Sequence, residues 1–323
     1  MSGAGRDERL TGKLVVVLGG SGFFGTHLAQ ELLARGSRLR IASRRPEQAF
    51  RIKPLGNLGQ VQFARCDVTR PASVAAVLAG ADAVVNLVGA FTGDLDALQG
   101  RGAGKVAAAA KAAGALAFVQ ISAIGADAEG ATAYARTKAE GEAAVLAAFP
   151  GATVLRPSVL FGPDDAFLNL FAGLISKLPL VPVFGPDKLF QPLFVDDAAA
   201  AAAEALADPV RHGGKTYELG GPERIGLLEL NQRIATAQHR APLFVPVPDI
   251  ASAAFATATG WLPFAPLSSD QWKLLAAGNV VSGKFPGIDK LGVTPRPLAL
   301  FLERWMVRYR KHGRFGDKSR LPA

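Results

Sequence analysis

A tyrosine and a lysine stand one helical turn apart in Tyr134-Ala-Arg-Thr-Lys138, shortly after a serine that closes the apolar run Ala117-Phe-Val-Gln-Ile-Ser122. On a helix that spacing puts both side chains on one face. An ammonium beside a phenol stabilises the phenolate, so the pair predicts a Tyr134 pKa lowered toward the range where it exchanges a proton with a carbinol. Lys138 would also reach the ribose hydroxyls of a nicotinamide nucleotide, and Ser122 would orient a substrate oxygen. The competing reading is an amphipathic helix with an exposed Tyr and Lys. What decides between them is whether the rest of the chain builds a nucleotide site around the pair.

The stretch Leu14-Val-Val-Val-Leu-Gly-Gly-Ser-Gly-Phe-Phe-Gly25 has the order such a site needs. Leu14 to Leu18 reads as a buried parallel strand. Gly19, Gly22 and Gly25 follow, then Phe23 and Phe24 lead into a helix-period segment over His27 to Ala34. Glycine permits the positive φ of a tight turn, and a helix N-terminus holds a pyrophosphate through its unpaired N–H groups. Gly20, Gly22 and Gly25 also fit G-x-G-x-x-G, so spacing alone does not fix the subclass, and a plain tight turn is the alternative to a nucleotide loop.

Further along, Arg38 to Ser43 reads as the second strand, followed by Arg44 and Arg45 where NAD-specific folds carry an acidic residue. A carboxylate there would repel a ribose 2′-phosphate, whereas a guanidinium holds one. Ser43 and Arg44 therefore predict NADP(H) in preference to NAD(H), the alternative being a pair of solvated surface arginines. The third strand, Val61 to Cys66, runs into Asp67-Val68, which would meet the adenine. The helix from Pro71 leads to a fourth strand, Ala83 to Val88, and Gly89 would let the backbone approach the cofactor. The Ala-rich helix Gly102 to Ala113 has side chains small enough to lie close against the sheet. After the Tyr134 helix, Val154 to Pro163 reads as a sixth strand with Pro157 at the cofactor. Asp197 would cap the helix running to about Asp208, and Thr216 to Leu219 adds one more strand. Strands alternating with helices give an α/β fold, a Rossmann-like doubly wound parallel sheet, with a smaller, mostly helical C-terminal lobe. Residues 11–160, completed by about 193–222, would form the nucleotide-binding core. Residues 161–192 and 223–323 would form a substrate- or partner-binding lobe, with helices over 167–178, 228–240, 249–259 and 268–277.

Composition bounds the function classes. With 323 residues and 49% hydrophobic content the chain can bury a large core, and its net charge of +9 favours anionic partners. No basic helix interleaved with aromatics is present, so nucleic acid is excluded as a partner. One cysteine, Cys66, precludes an intramolecular disulfide and reads as a small packing residue; the four histidines show no metal-ligand spacing. The N-terminal ten residues are polar and are not a signal peptide. The greasiest stretch, 166–184, is broken by Asn169, Lys177, Pro179 and Pro182, so no transmembrane helix is expected. Near the C-terminus Leu298, Phe301, Leu302, Trp305 and Tyr309 recur at helical spacing, followed by Lys311, Arg314, Lys318 and Arg320. That pattern fits a terminal helix docked on its own domain with a solvated basic tail, or a contact with an acidic partner or membrane surface.

Taken together, Gly19-x-x-Gly22-x-x-Gly25, Asp67-Val68, Tyr134-x-x-x-Lys138 and Arg156-Pro-Ser-Val-Leu-Phe-Gly-Pro163 resemble the extended or atypical short-chain dehydrogenase/reductase superfamily over most of the chain. Ile121 to Asp127, Tyr134 to Glu142, Gly162 to Ala172, Ser268 to Leu275 and Leu291 to Pro295 are similar to a narrower group. That group is the nucleotide-binding accessory subunit family of the alpha subcomplex of respiratory complex I, with its bacterial relatives. The resemblance implies tightly held NADPH, complex I subunits as partners, a structural or assembly role, and a cytoplasmic protein peripheral to the inner membrane. The superfamily also implies the alternative, an NADP-dependent oxidoreductase, epimerase or dehydratase acting on a small-molecule substrate through Tyr134, Lys138 and Ser122. Two departures weigh against turnover. Leu98-Gln-Gly-Arg-Gly102 lacks the Asn that superfamily members use in a proton relay, and Ala123 follows Ser122 where many members have a second hydroxyl. Either Ser122 is the matching serine, or the position is missing.

Overall fold

The structure, a computed structural model, describes residues 8–259, 268–311 and 313. In chain order the elements are β1 (Leu14–Leu18), α1 (Phe23–Ala34), β2 (Arg38–Ser43), β3 (Val61–Arg65), α2 (Pro71–Leu78), β4 (Ala83–Asn86), α3 (Leu95–Gln99), α4 (Arg101–Ala112), β5 (Ala117–Ile121), α5 (Ala133–Ala148) and β6 (Thr153–Pro157). They continue with β7 (Leu160–Phe161), α6 (Ala166–Lys177), β8 (Leu180–Phe184), β9 (Leu189–Phe190), β10 (Leu193–Phe194), α7 (Val195–Ala207), α8 (Pro209–His212), β11 (Thr216–Leu219), β12 (Ile225–Gly226), α9 (Leu227–Ala237), β13 (Leu243–Val247), α10 (Asp249–Thr259), α11 (Ser269–Ala276) and α12 (Ala299–Met306). The chain divides into two compact units, one of residues 1–157, 195–219 and 281–294, the other of residues 158–194, 220–280 and 295–323.

The first unit is a parallel seven-stranded sheet of order β11-β6-β5-β4-β1-β2-β3 with helices packed on it. Continuous apolar strands are what a sheet covered on both faces requires, and every residue of β1, β4 and β5 is buried. The sequence advances one way from β1 to β2 and β3 and the other way from β4 outward. The order therefore reverses between β1 and β4, the switch point where such sheets bind ligands beyond their strand carboxyl ends. Leu18, Leu28, Leu32, Leu39 and Ile41 are fully buried, each worth roughly 1.5–3 kcal/mol of transfer free energy. Cys66 is buried too, and burial raises its thiol pKa, as expected of a packing residue.

One local expectation is corrected. Asp197 lies inside the first turn of α7, which begins at Val195, so it cannot serve as the cap. In α4, Ala103, Val106, Ala107 and Ala110 are buried in one cluster with Val84 and Phe118 of the sheet, and the helix also lies close to α5. A Cβ on Gly104 would stand 2.7 Å from the Ala144 Cβ, so the small residues bring two helices together. At the edge of the sheet, Glu218 of β11 accepts hydrogen bonds from the Ser282 backbone N–H (2.6 Å) and hydroxyl (2.9 Å), and its own N–H donates to Pro286 O. Residues 281–294, which the sequence places in the C-terminal lobe, thus pack with the first unit.

The second unit is mainly helical, with α6 against α9 and short strand pairs, of which β8–β13 is a five-residue parallel ladder. Its C-terminal stripe is spent internally. Leu298, Leu302 and Met306 are buried, and Phe301 stacks on Phe194 and Trp305 with ring centroids 4.2 and 4.8 Å away. This is the arrangement expected of a terminal helix docked on its own domain. Lys311 is exposed, while Arg314, Lys318 and Arg320 lie outside the described residues.

Candidate functional site

The glycine loop leaves β1 at Gly19, whose φ of +75° only glycine adopts without strain. Its N–H donates to Ala42 O at 2.8 Å, which ties the loop to β2. Helix α1 then packs so closely that a Cβ on Gly25 would stand 2.5 Å from Gly20 O. At Gly22, the residue before the helix, added side-chain atoms would meet nothing nearer than Gly19 O at 3.9 Å. The first turn holds Phe23 and Phe24, has no acidic residue and is capped by no side chain. Its N–H groups are therefore available to an anion.

Beyond β2, Ser43 Oγ is buried and has no hydrogen-bond partner among the described residues, and Arg44 beside it is exposed. Asp67, after β3, accepts from the Thr69 backbone N–H (3.0 Å) and hydroxyl (2.7 Å). These bonds, with Arg70 and Arg44 nearby, hold its carboxyl below the usual carboxylate range. Val68 packs beside it against the core. A residue the sequence reading passed over completes this side. Arg51, from the 3₁₀ segment Pro46–Leu55, donates to the Thr26 hydroxyl (3.1 Å) and to the carbonyls of Ser21 (3.5 Å) and Gly22 (3.4 Å). It thereby lays a guanidinium along the glycine loop. No periodicity marks it; its only signal is the run of basic residues after β2.

At the far end of the switch point the strand-terminal residues converge. Strand β4 stops at Asn86, earlier than Val88, because the Asn86 side chain turns back on the chain. Its Oδ1 accepts from the Val88 N–H, and its Nδ2 donates to Gln120 on β5. Val88 sits against Gly19, where a Cβ on the glycine would come within 3.3 Å of the Val88 nitrogen. Helix α5 begins just after Thr132, whose hydroxyl accepts from the Ala135 N–H at 3.1 Å, a side-chain cap that fixes where Tyr134 emerges. Tyr134 and Lys138 do share a face, with the ammonium 5.7 Å from the phenol ring centroid. Lys138 Nζ donates to Ile121 O (3.3 Å) and lies where a Cβ on Gly89 would come within 3.1 Å of it. Pro157, at the end of β6, accepts from the Ile124 N–H at 3.1 Å. Ser122 Oγ is buried and has no hydrogen-bond partner among the described residues.

The electrostatics correct the expected tuning. Burial pushes the Tyr134 phenol up to about 12 instead of down, and burial lowers Lys138 to about 8, with Glu142 one turn on opposing that fall. The ammonium, 5.7 Å from the ring centroid, does not offset this loss of solvent, and the Phe91 ring stacks on Tyr134 at 4.6 Å and 18°. In the absent-Asn stretch, Gln99 is buried. It accepts from the Ala90 N–H at 3.0 Å and donates one of its two amide protons to the Thr137 hydroxyl at 3.0 Å, which ties it to the start of α5. Below the pair, Glu142 and Arg156 form a buried ion pair, with Arg156 over the Phe285 ring at 4.6 Å. Among the described residues no group of His, Cys, Asp and Glu is placed to hold a metal.

A parallel sheet reversed at β1/β4, a glycine-rich loop at the N-terminus of α1 and two orphaned buried hydroxyls define a protein of the Rossmann-like, dinucleotide-binding α/β class. The chain belongs to the NAD dependent epimerase/dehydratase family, whose model matches residues 15–220, and within it to the family of complex I alpha-subcomplex accessory subunits. It is 32% identical to the "NADH dehydrogenase [ubiquinone] 1 alpha subcomplex subunit 9, mitochondrial" of Arabidopsis thaliana, over 96% of this chain and 81% of that protein. It is 31% identical to the "Ceramide reductase" of Caulobacter vibrioides over 61% of this chain and 62% of that protein. Among solved structures a nucleoside-diphosphate-sugar epimerase from Staphylococcus aureus matches with TM-score 0.68 at 18% identity, over 90% of this chain and 99% of that one, a likeness of fold. The family binds a nicotinamide dinucleotide, and the orphaned hydroxyls and open helix terminus fit one.

Proposed function

We propose that this chain holds NADP(H) as a fixed part of its fold and serves as an accessory protein of complex I, in a structural or assembly role. The observation that carries the reading is the setting of Tyr134, its ring covered by Phe91 at 4.6 Å beside a lysine bonded to the backbone. Such a group is a poor proton acceptor near neutral pH. The loop, the α1 terminus and Arg51 would hold the pyrophosphate, and Ser43 with Arg44 the 2′-phosphate. Asp67 and Val68 would border the adenine, and Val88, Gly89, Pro157 and Lys138 the nicotinamide ribose. When bound, the nucleotide supplies a hydride at its nicotinamide ring. A ligand held at about a hundred times its dissociation constant adds roughly 2.7 kcal/mol to stability without reacting. Similarity to the Arabidopsis subunit over nearly the whole chain supports association with complex I.

The test is to purify the protein, extract and identify its nucleotide, and compare the thermal stability of loaded and stripped samples. NADPH that exchanges slowly and a marked loss of stability on stripping are expected. Equally stable, nucleotide-free protein would refute the reading. A second reading, an NADP-dependent oxidoreductase on a small or lipid-like carbonyl, is favoured by the retained Tyr134–Lys138 pair and by the similarity to the ceramide reductase. Tyr134→Phe distinguishes the two, because only the oxidoreductase loses turnover of bound NADPH.

A further inference from the structure

The second unit carries a set of exposed leucines on neighbouring elements. Helix α6 buries Leu168, Ala172 and Ile175, and leaves Leu170 and Leu174 at 55% and 36% exposure. Leu178 continues that row one turn on, at 39%, and after Pro179 the chain enters β8 with Leu180 at 49%. Leu180 pairs with Leu243 of β13, exposed at 64%, and the Leu243 N–H donates to Pro179 O at 2.9 Å. Five leucines thus form a strip across the α6 terminus and the β8–β13 ladder, beside an open depression lined by Leu178, Pro179, Arg240 and Pro242.

Within the segments that carry these leucines the charge has one sign. Residues 166–184 contain Lys177 and no Asp or Glu, and residues 238–248 contain His239 and Arg240 and no Asp or Glu. Arg240 donates to Tyr309 O, and Arg308 donates to Pro163 O and Asn169 Oδ1, so Arg308 lies along the same helix. Carboxylates flank these segments, and Asp164, just before α6, is exposed. Asp165 is buried as the α6 cap, Glu303 is paired with Arg310, and Asp249 is paired with Lys188.

We propose that this leucine strip is a docking face for an anionic lipid surface, with the leucines entering the headgroup boundary and Lys177, Arg240 and Arg308 meeting the negative charge. Apolar insertion ringed by cations is what holds a peripheral protein on such a surface, and each cation adds about a fivefold gain in binding there. A second copy of the chain would set like charges against one another, which the face disfavours. The aromatic residues of the C-terminal helix, spent within their own unit, are not part of it.

The test uses the full chain with its nucleotide, sedimented with vesicles of phosphatidylcholine with and without phosphatidylglycerol, at low and high salt. Binding is expected only with phosphatidylglycerol. Leu178→Gln combined with Leu243→Gln should weaken it at least about tenfold, in line with the transfer energy of even one leucine. Leu58→Gln, an exposed leucine of the first unit, should leave it unchanged. Binding that salt abolishes but both leucine variants leave intact would reduce the contact to charge alone and overturn the proposal. So would no vesicle binding at all, whether the chain runs at twice its mass or co-purifies with a membrane complex through this face. Nucleotide content is measured in the same samples, so failure here is separable from failure of the nucleotide reading.

Discussion

Replacing Gly25 by alanine should destabilise the protein with or without nucleotide, and the structure sets the size of the effect. The new Cβ would stand 2.5 Å from Gly20 O and 2.6 Å from Gly20 C and Cα. All three are backbone atoms, so no flexible side chain can yield, and helix and loop must separate. Overpacking of this kind costs about 1–3 kcal/mol, and contact with backbone alone argues for the upper end. Alanine returns roughly 0.5–1 kcal/mol through its helical preference, leaving a net loss of about 2 kcal/mol. For a chain of this length that corresponds to a fall in Tm of about 3 °C. Gly22→Ala is the companion variant. With φ −79°, ψ −177° and open space around it, alanine fits there without a clash, at a cost of about 0.5–1 kcal/mol for a poorer N-cap residue. It should keep most of the stability of the stripped protein yet bind nucleotide more weakly, because the added methyl stands where an anion approaches the α1 terminus. Thermal unfolding of stripped and loaded samples of all three proteins reads both effects. If Gly25→Ala unfolds within about 1 °C of the parent, or Gly22→Ala costs the stripped protein as much, the division of labour within the loop is wrong.

Phe91→Ala uncovers the phenol, so the Tyr134 titration should move from about 12 toward 10 in an ultraviolet difference titration against Tyr134→Phe; an unmoved titration would mean that Phe91 does not shield it. For Lys138, lowered from 10.5 to about 8, the unfolded chain binds more protons between those values, so stability should rise with pH across that window until Tyr134, raised above 10, reverses the trend. Lys138→Met should remove the rise, worth on the order of 3 kcal/mol in full, as seen in denaturant midpoints at a series of pH values. Glu142→Leu strands Arg156 without its buried partner and should cost about 3–5 kcal/mol by urea unfolding; a loss under about 1 kcal/mol would show that solvent already reaches the pair.

The middle of the sheet was readable because its strands are buried on both faces, so Leu14–Leu18 and Ala117–Ile121 appear in the sequence as short apolar runs between glycines and helices. Tyr134 and Lys138 were readable because helical spacing alone puts them together. The environment that sets their chemistry was not, since it comes from residues distant in sequence. Phe91 covers Tyr134 from the loop after β4, and Ile121 O takes the Lys138 ammonium. Gln99 was visible as a missing asparagine, but only the fold shows its longer amide bonded to Ala90 and Thr137. Arg51 sits in a 3₁₀ segment whose pattern announces nothing, and Asp197 misled because an acidic residue before an alanine run looks the same as a cap or as part of the first turn.

The bonds from Ser282 to Glu218 also bear on the order in which this protein comes together during synthesis. Strand β11 finishes at Leu219, yet the segment that satisfies its outer edge begins at residue 281, with a stretch of the other unit between them. At about 5–20 residues per second, the ribosome takes roughly 3–12 s to supply it. During that interval the sheet margin carries open backbone groups and a carboxylate awaiting its donors, the state in which strands pair with the wrong neighbour. A nascent chain stalled before residue 281 should therefore be the form most dependent on chaperones, and release of the next fourteen residues should end that dependence.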